Sequence, residues 1–379
     1  MKTLELVFFD AGGGHRSAAN ALCEVARQQE RPWDMRMMNL QELLDEMDVF
    51  RKITGIRMQD LYNLMLRRGW TLWSRHLMKV MHAVIRQYHP VEVRLLEGYW
   101  KTHPCDLVVS VVPNFNRAIY QSLGGLRPMV TILTDLADVP PHFWIEENQQ
   151  QYFICGTERA YKQALELGHP PDRVFRTSGM ILNPRFYSVE PVDRAHNLEI
   201  LGLDPKVPTI LLMFGGEGSL RMIDIAEAIN RSDLDVQIIA IAGKNAKLEA
   251  KLRRMPARVP MHVEGFTKEM PRFMQLSDVF IGKPGPGSIS EAVAMGLPVI
   301  IEQSIWTLEQ ERYNAEWVEE VGVGVKVESF RTEVVGAIRQ MLEPGAREKV
   351  LANVAAQRNR AIFEIPEILD RILSRTSSV

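Results

Sequence analysis

The stretch Ile281-Gly282-Lys283-Pro284-Gly285-Pro286-Gly287-Ser288-Ile289-Ser290-Glu291-Ala292 constrains this chain more than any other. An apolar strand, Val279–Ile281, runs into a loop shaped by glycine and proline, and the pattern predicts a helix starting near Ser288. A helix start presents backbone N–H groups without intrahelical partners and the positive end of a dipole, which suits a phosphate. Lys283, Gly285, Gly287 and Ser288 are therefore candidate phosphate-side residues. Glu291 falls one turn into the helix, where a carboxylate can accept hydrogen bonds from two neighbouring ribose hydroxyls. An earlier loop has the same character: Phe214-Gly215-Gly216-Glu217-Gly218-Ser219, between the strand Thr209–Phe214 and a helix. Either loop alone is compatible with an ordinary α/β turn. The two in this order read as the seat of a nucleotide diphosphate, with Lys283 or Lys244 nearby.

Composition narrows the class. A chain of 379 residues predicts two domains, each large enough for its own core. Hydrophobic content of 46% and charged content of 24% are those of a globular protein. The net charge of −2 gives no general field toward nucleic acid. Cys23, Cys105 and Cys155 lie in apolar or helical stretches without C-x-x-C spacing, and are expected to be buried, reduced thiols. Met1–Phe9 is too short and too soon interrupted by Asp10 for a signal peptide, and no apolar run approaches the roughly 20 residues of a membrane span.

Strands and helices alternate along the chain. The expected strands are Leu4–Phe9, Met35–Leu40, Asp106–Val112, Met129–Thr134, Tyr152–Cys155 and Val174–Thr177, then Thr209–Phe214, Val236–Ala242, Met261–Val263, Val279–Ile281, Pro298–Ile301 and Gly324–Val327. Such alternation predicts parallel sheets wrapped by helices. Between the two sets, residues 183–208 are polar and punctuated by Asn-Pro, Glu-Pro, Asp-Pro and Val-Pro, which reads as a linker. The fold class is thus α/β: two Rossmann-like, doubly wound domains facing across a cleft, with ligands at the carboxyl ends of the strands. The expected boundaries are 1–182, a linker at 183–208, 209–365, and a C-terminal helix at 366–379 packing back on the first domain.

The first strand ends in Asp10-Ala11-Gly12-Gly13-Gly14-His15-Arg16-Ser17. Glycines allow a tight turn and close ligand approach, and Ser17 is a candidate cap for the next helix. The spacing is neither G-x-G-x-x-G nor a P-loop, so hydride transfer and nucleotide hydrolysis lack support. A neutral imidazole at His15 can remove a proton from a hydroxyl; a structural or merely exposed histidine is the bland alternative. The D-x-D at Asp233-Leu234-Asp235 precedes a strand instead of following one and reads as a solvated turn, so no metal is expected.

A local charge excess bears on partners. Between Phe50 and Pro90 the basic residues are Arg51, Lys52, Arg57, Arg67, Arg68, Arg75, Lys79 and Arg86, against the single acid Asp60. Across Trp73–His89 the apolar residues Trp73, Leu77, Val80, Met81, Val84 and Tyr88 share one helical face, and Arg75, Lys79, His82, Arg86 and His89 the other. With Trp70 beside them, they suit an interfacial helix on anionic lipid. The alternative is a core-packed helix with a solvated basic face.

Asp10–Ala21, Gly215–Ser219, Gly243–Leu252, Gly265-Phe266 and Lys283–Pro298 resemble the monogalactosyldiacylglycerol synthases and, with them, the processive diacylglycerol glycosyltransferases and the bacterial lipid II glycosyltransferase. The resemblance runs in order over most of the chain. It implies the GT-B fold, a UDP-sugar held mainly by the second domain, a lipid acceptor held by the first around Gly13 and Gly14, and inversion without a metal or other cofactor. It assigns His15 as general base, Gly216 and Gly218 to the donor loop, Phe266 to the uracil, and Glu291 to the ribose. It also assigns Gln310, Glu311 and Asn314 to the transferred sugar, although on a helix at Leu308–Glu320 the acids also fit a solvated face. Two departures stand out. Pro140-Pro141-His142-Phe143-Trp144-Ile145 reorders the histidine and aromatics of the family's lipid-head segment, leaving His142 and Trp144 as candidates there. Gly282-Lys283-Pro284 is closer to bacterial glucosyltransferases, which leaves galactose and glucose both open. The reading is a cytoplasmic enzyme, peripheral on the inner face of the membrane, moving a hexose to diacylglycerol. Another lipid acceptor, a sugar-nucleotide 2-epimerase of similar fold and a non-catalytic binding protein are the alternatives.

Overall fold

The computed structural model describes residues 1–10, 14–44, 74–139, 143–256, 258–305 and 307–376; in the helix beginning at Ser74, side chains are described from Gln87 onward. Two compact α/β units result. The first comprises Met1–Pro184, Leu308–Gln310 and the chain from Asn359 on; the second comprises Arg185–Thr307 and Glu311–Arg358.

The first unit holds a six-stranded parallel sheet built from β1 (Lys2–Phe8), β2 (Trp33–Asn39), β3 (Leu107–Ser110), β4 (Met129–Ile132), β5 (Tyr152–Cys155) and β6 (Val174–Arg176). Its order is β2-β1-β3-β4-β5-β6, with Leu6 beside Met37 on one edge and Val109 on the other. Every residue of β3, β4 and β5 is buried, as expected for parallel strands covered on both faces. The order reverses between β1 and β3, and that reversal makes a crevice at their carboxyl ends.

The chain returns to this unit for its last helix, Ala361–Thr376, which packs on the helix Gly14–Gln28 and buries Ile362, Ile365, Ile368, Leu369, Ile372 and Leu373. A set of hydrogen bonds clasps it: Asn359 Nδ2 donates to the Met180 carbonyl (2.9 Å), the Arg360 N–H to Ser178 Oγ (2.7 Å), and the Ser178 N–H to Glu364 Oε2 (2.8 Å). Glycine is required at 179, because a Cβ there would come within 2.6 Å of the Asn359 side chain.

The second unit holds β7 (Thr209–Met213), β8 (Gln237–Ile241), β9 (Met261–Glu264), β10 (Val279–Gly282), β11 (Val299–Glu302) and β12 (Gly324–Val327), all parallel, in the order β12-β11-β10-β7-β8-β9. Each face carries a continuous apolar core, one centred on Leu212, Ile225, Ile238 and Ile338, the other on Leu211, Phe280, Ile289 and Val318. The order reverses between β7 and β10, where Met213 and Gly282 pair.

All twelve strands fall within two residues of their sequence-expected ends. Residues 183–208, expected to be a linker, depart from that reading. They contain the helix Arg194–Ile200, bury Phe186, Leu198 and Leu203 in the second core, and pair Arg194 with Asp278 at 2.8 Å. The prolines that suggested a linker punctuate a polar stretch whose few apolar side chains have their own place in the core.

Candidate functional site

Both glycine loops of the second unit sit at the strand-order reversal, one after β7 and one after β10. Gly215 (φ +72°) and Gly218 (φ +63°) adopt the left-handed backbone that glycine reaches without strain. The first loop rests on the turn after β8. There the Lys244 N–H donates to the Gly216 carbonyl at 2.8 Å, and a Cβ on Gly218 would meet the Ala242 carbonyl oxygen at 2.4 Å. Gly216 and Gly287, by contrast, have nothing within 4 Å of the position a Cβ would take. Their backbones face open space, so a ligand can approach them closely.

After β10, the helix Pro286–Ala294 begins at Pro286, two residues before the expected start. Proline at the first position has the φ a helix needs and has no N–H to leave unpaired. No side chain caps this end, and the first bond of the ladder runs from the Ile289 N–H to the Gly285 carbonyl (3.1 Å). The Gly287 and Ser288 N–H groups therefore precede the ladder. Lys283 lies between the two loops: its Cε is 3.7 Å from a Cβ position on Gly215 and 3.3 Å from one on Gly285. Its Nζ pairs with Glu311 Oε1 at 2.8 Å. Backbone donors and an ammonium converge here, an arrangement suited to a diphosphate.

Around this centre, Phe266 is 56% exposed and carries Lys244 Nζ 5.3 Å from its ring centroid. Ser219 Oγ accepts from the Arg221 N–H at 3.3 Å, and Arg221 pairs with Glu302 at the end of β11. Glu217 lies in the same loop, and Gln310 is the second residue of the helix Glu309–Glu320. Asn314, expected at the sugar, holds the loop through one hydrogen bond. It is fully buried and donates through Nδ2 to the Pro284 carbonyl (2.9 Å), which braces the loop after β10, while its Oδ1 has no hydrogen-bond partner among the described residues. Burial pushes the Glu291 carboxyl up to about 7, opposed by the Arg185 guanidinium. Arg185 was not singled out in the sequence, although it follows Asn183-Pro184 at the start of this unit. It also donates to the Lys268 carbonyl at 3.0 Å. Asp233, of the D-x-D, pairs with Arg339 at 2.6 Å.

In the first unit, His15 stands in the first turn of the helix Gly14–Gln28, and Ser17 lies inside that helix instead of capping it. His15 Nδ1 is 3.1 Å from Thr134 Oγ1, just past β4. Burial lowers the imidazole to about 4, partly offset by a hydrogen bond with the Val111 backbone, so the ring is neutral at pH 7. Trp144 packs 6.0 Å from His15, centroid to centroid. It is wholly buried, with Nε1–H donating to Asp135 Oδ2 (2.9 Å) and its backbone N–H to Asp138 Oδ1 (2.7 Å). The expected lipid contact at Trp144 is thereby corrected: its N–H is satisfied inside the core, and its ring supports the histidine. Gly13, Trp70, Trp73 and His142 lie outside the described residues. Arg75, Lys79 and Arg86 fall on the helix Ser74–Thr102, but their side chains are outside the description. Among the described residues, no helix is long and apolar enough to cross a membrane.

Comparison with known proteins sets the class. The glycosyltransferase family 28 C-terminal domain matches residues 209–371, the unit that carries both glycine loops. Among solved structures, MurG of Acinetobacter baumannii superposes with a TM-score of 0.61 at 12% identity, covering 98% of this chain and 100% of that one. A Staphylococcus aureus MnaA–UDP structure gives 0.64 at 15% identity, covering 100% and 98%. This is a two-unit α/β glycosyltransferase of the GT-B fold. Likeness of fold alone does not separate transferases from the UDP-N-acetylglucosamine 2-epimerases, which are also neighbours.

Kinship along the sequence is more particular. The chain is related over its whole length to the monogalactosyldiacylglycerol synthases, as the motif resemblance implied. It is 28% identical to the spinach chloroplastic enzyme, over 98% of this chain and 73% of that one. It is also 28% identical to synthase 1 of Arabidopsis thaliana, over 100% and 72%.

Proposed function

We propose that this protein transfers a hexose, galactose or glucose, from a UDP-sugar to the free hydroxyl of diacylglycerol at a membrane surface, with inversion and without a metal ion. The observation that carries the reading is the convergence of the Gly215–Ser219 loop, the Pro286–Ala294 helix start and Lys283 at one strand-order reversal. Similarity along the whole of this chain to monogalactosyldiacylglycerol synthases supports the acceptor.

In this reading the diphosphate takes the Gly216, Gly287 and Ser288 backbone and Lys283, the ribose takes Glu291, and the base lies by Phe266. The acceptor oxygen forms a bond to the anomeric carbon as the bond from that carbon to the phosphate oxygen breaks, and UDP leaves with the electron pair. The hydroxyl proton passes to the imidazole of His15. Helix-end N–H groups and the ammonium stabilise the charge growing on UDP. The basic segment within residues 50–90 holds the enzyme on anionic lipid, peripheral on the cytoplasmic face.

The deciding assay presents diacylglycerol in anionic vesicles with a panel of UDP-sugars and identifies products by mass and NMR. A hexosyl-diacylglycerol of inverted configuration is expected; no glycolipid from any donor overturns the reading.

Glu291 adds a pH dependence. Its carboxyl has a raised value of about 7, and ribose hydroxyls donate best to the ionised form. UDP should bind more tightly as pH rises from about 6 to about 8. Glu291→Gln should weaken UDP, losing at most about 1.5–3 kcal/mol per charged hydrogen bond, and should flatten that component of the pH profile. Calorimetry at several pH values checks both; an unchanged affinity removes Glu291 from the ribose.

A further inference from the structure

The ion pair between Lys283 and Glu311 sits inside the space just described, and it has a consequence for which nucleotide is retained. Glu311 keeps only 12% of its side chain exposed, whereas Lys283 keeps 42%. A carboxylate that enclosed is stable while it has a cation or hydroxyl donors, and costly to strand without either. Lys283 lies against both glycine loops, with its ammonium within reach of an anion seated between them.

We propose that Lys283 exchanges Glu311 for the donor diphosphate, and that the vacated Glu311 carboxylate accepts hydroxyls of the hexose, so that the site retains the intact sugar nucleotide and expels UDP. The inference rests on the donor reading above and deepens it. When a UDP-hexose binds, both partners of the broken pair are satisfied, Lys283 by phosphate and Glu311 by sugar hydroxyls. Once the hexose has moved to the acceptor, Glu311 has lost those donors. It then competes with the diphosphate for Lys283, and re-forming the pair loosens the UDP that remains. The pair thereby acts as a specificity element for donor over product.

The test compares UDP and UDP-hexose binding, by calorimetry and by product inhibition, in the wild type, Glu311→Gln, Lys283→Met and the double variant. Removing the competing carboxylate should tighten UDP by about three- to tenfold and weaken UDP-hexose, collapsing the discrimination between them. In the Lys283→Met background the Glu311→Gln change should no longer tighten UDP, because there is no ammonium to compete for. Glu311→Gln weakening both nucleotides by one factor, or tightening UDP with Lys283 already gone, overturns the exchange. Should Lys283→Met prove unstable because it strands Glu311, the two affinities of the Glu311→Gln protein decide the matter. A wild type that binds neither nucleotide is a different failure, that of the donor reading itself.

Discussion

His15→Ala is expected to lower hexose transfer by about 10²- to 10⁴-fold, the usual range for removing a general base, while UDP affinity stays as it was. The split follows from placement: His15 belongs to the first unit, and the glycine loops, Lys283 and Glu291 belong to the second. The histidine is suited to the part because burial holds it neutral, near 4, and Thr134 Oγ1 at 3.1 Å fixes one ring nitrogen. A base with that value stays unprotonated from pH 8 down to about 5, so His15 adds no limb to the rate profile there. A titration of kcat/KM near pH 7 that comes from the Glu291 carboxyl should vanish in Glu291→Gln. Wild-type rates from His15→Ala in the vesicle assay would remove the residue from the chemistry.

The second large effect concerns the membrane. Replacing Arg75, Lys79 and Arg86 together by Gln should shift binding to anionic vesicles by roughly two orders of magnitude, since each basic residue at such a surface contributes about 1 kcal/mol. Transfer at the vesicle should fall with it, and UDP affinity should not, because these residues and the glycine loops belong to different units. Added salt should reproduce the change in the unmodified protein by screening the same attraction. Sedimentation with vesicles at low and high salt separates the outcomes. If the triple variant sediments as the wild type does, the basic face is merely solvated and lipid is met elsewhere.

The strands were legible because parallel strands covered on both faces are almost uniformly apolar, and runs such as Leu107–Ser110 and Val279–Gly282 stand out between polar helices. The glycine loops were legible for a related reason: glycine adopts a left-handed φ without strain and leaves room where a Cβ would come within 2.4 Å of a carbonyl oxygen, so the preference is written in the residue. Side-chain direction was not. Asn314 lies one turn beyond Gln310 and Glu311, and nothing in its spacing said that its amide reaches the Pro284 carbonyl. Trp144 stood as a lipid-head candidate because it falls in the segment that resembles the family's lipid-head motif. The carboxylate that takes its N–H, Asp135, is nine residues away in sequence and adjacent only in the fold. The same holds for residues 183–208, whose prolines are visible in the sequence but whose burial of Leu198 and Leu203 depends on a core assembled from elsewhere.

The clasp of Asn359, Arg360 and Glu364 on Ser178 and Met180 bears on the order in which a ribosome can complete this protein. The first unit holds Met1–Pro184, yet its last helix follows the second unit along the chain, so it waits for that helix through the whole translation of that unit. The second unit, nearly continuous from Arg185 to Arg358, can close as soon as it emerges. Until then, the face of the Gly14–Gln28 helix that later receives the Ala361–Thr376 helix stays uncovered, an apolar surface that a nascent-chain chaperone would be expected to shield.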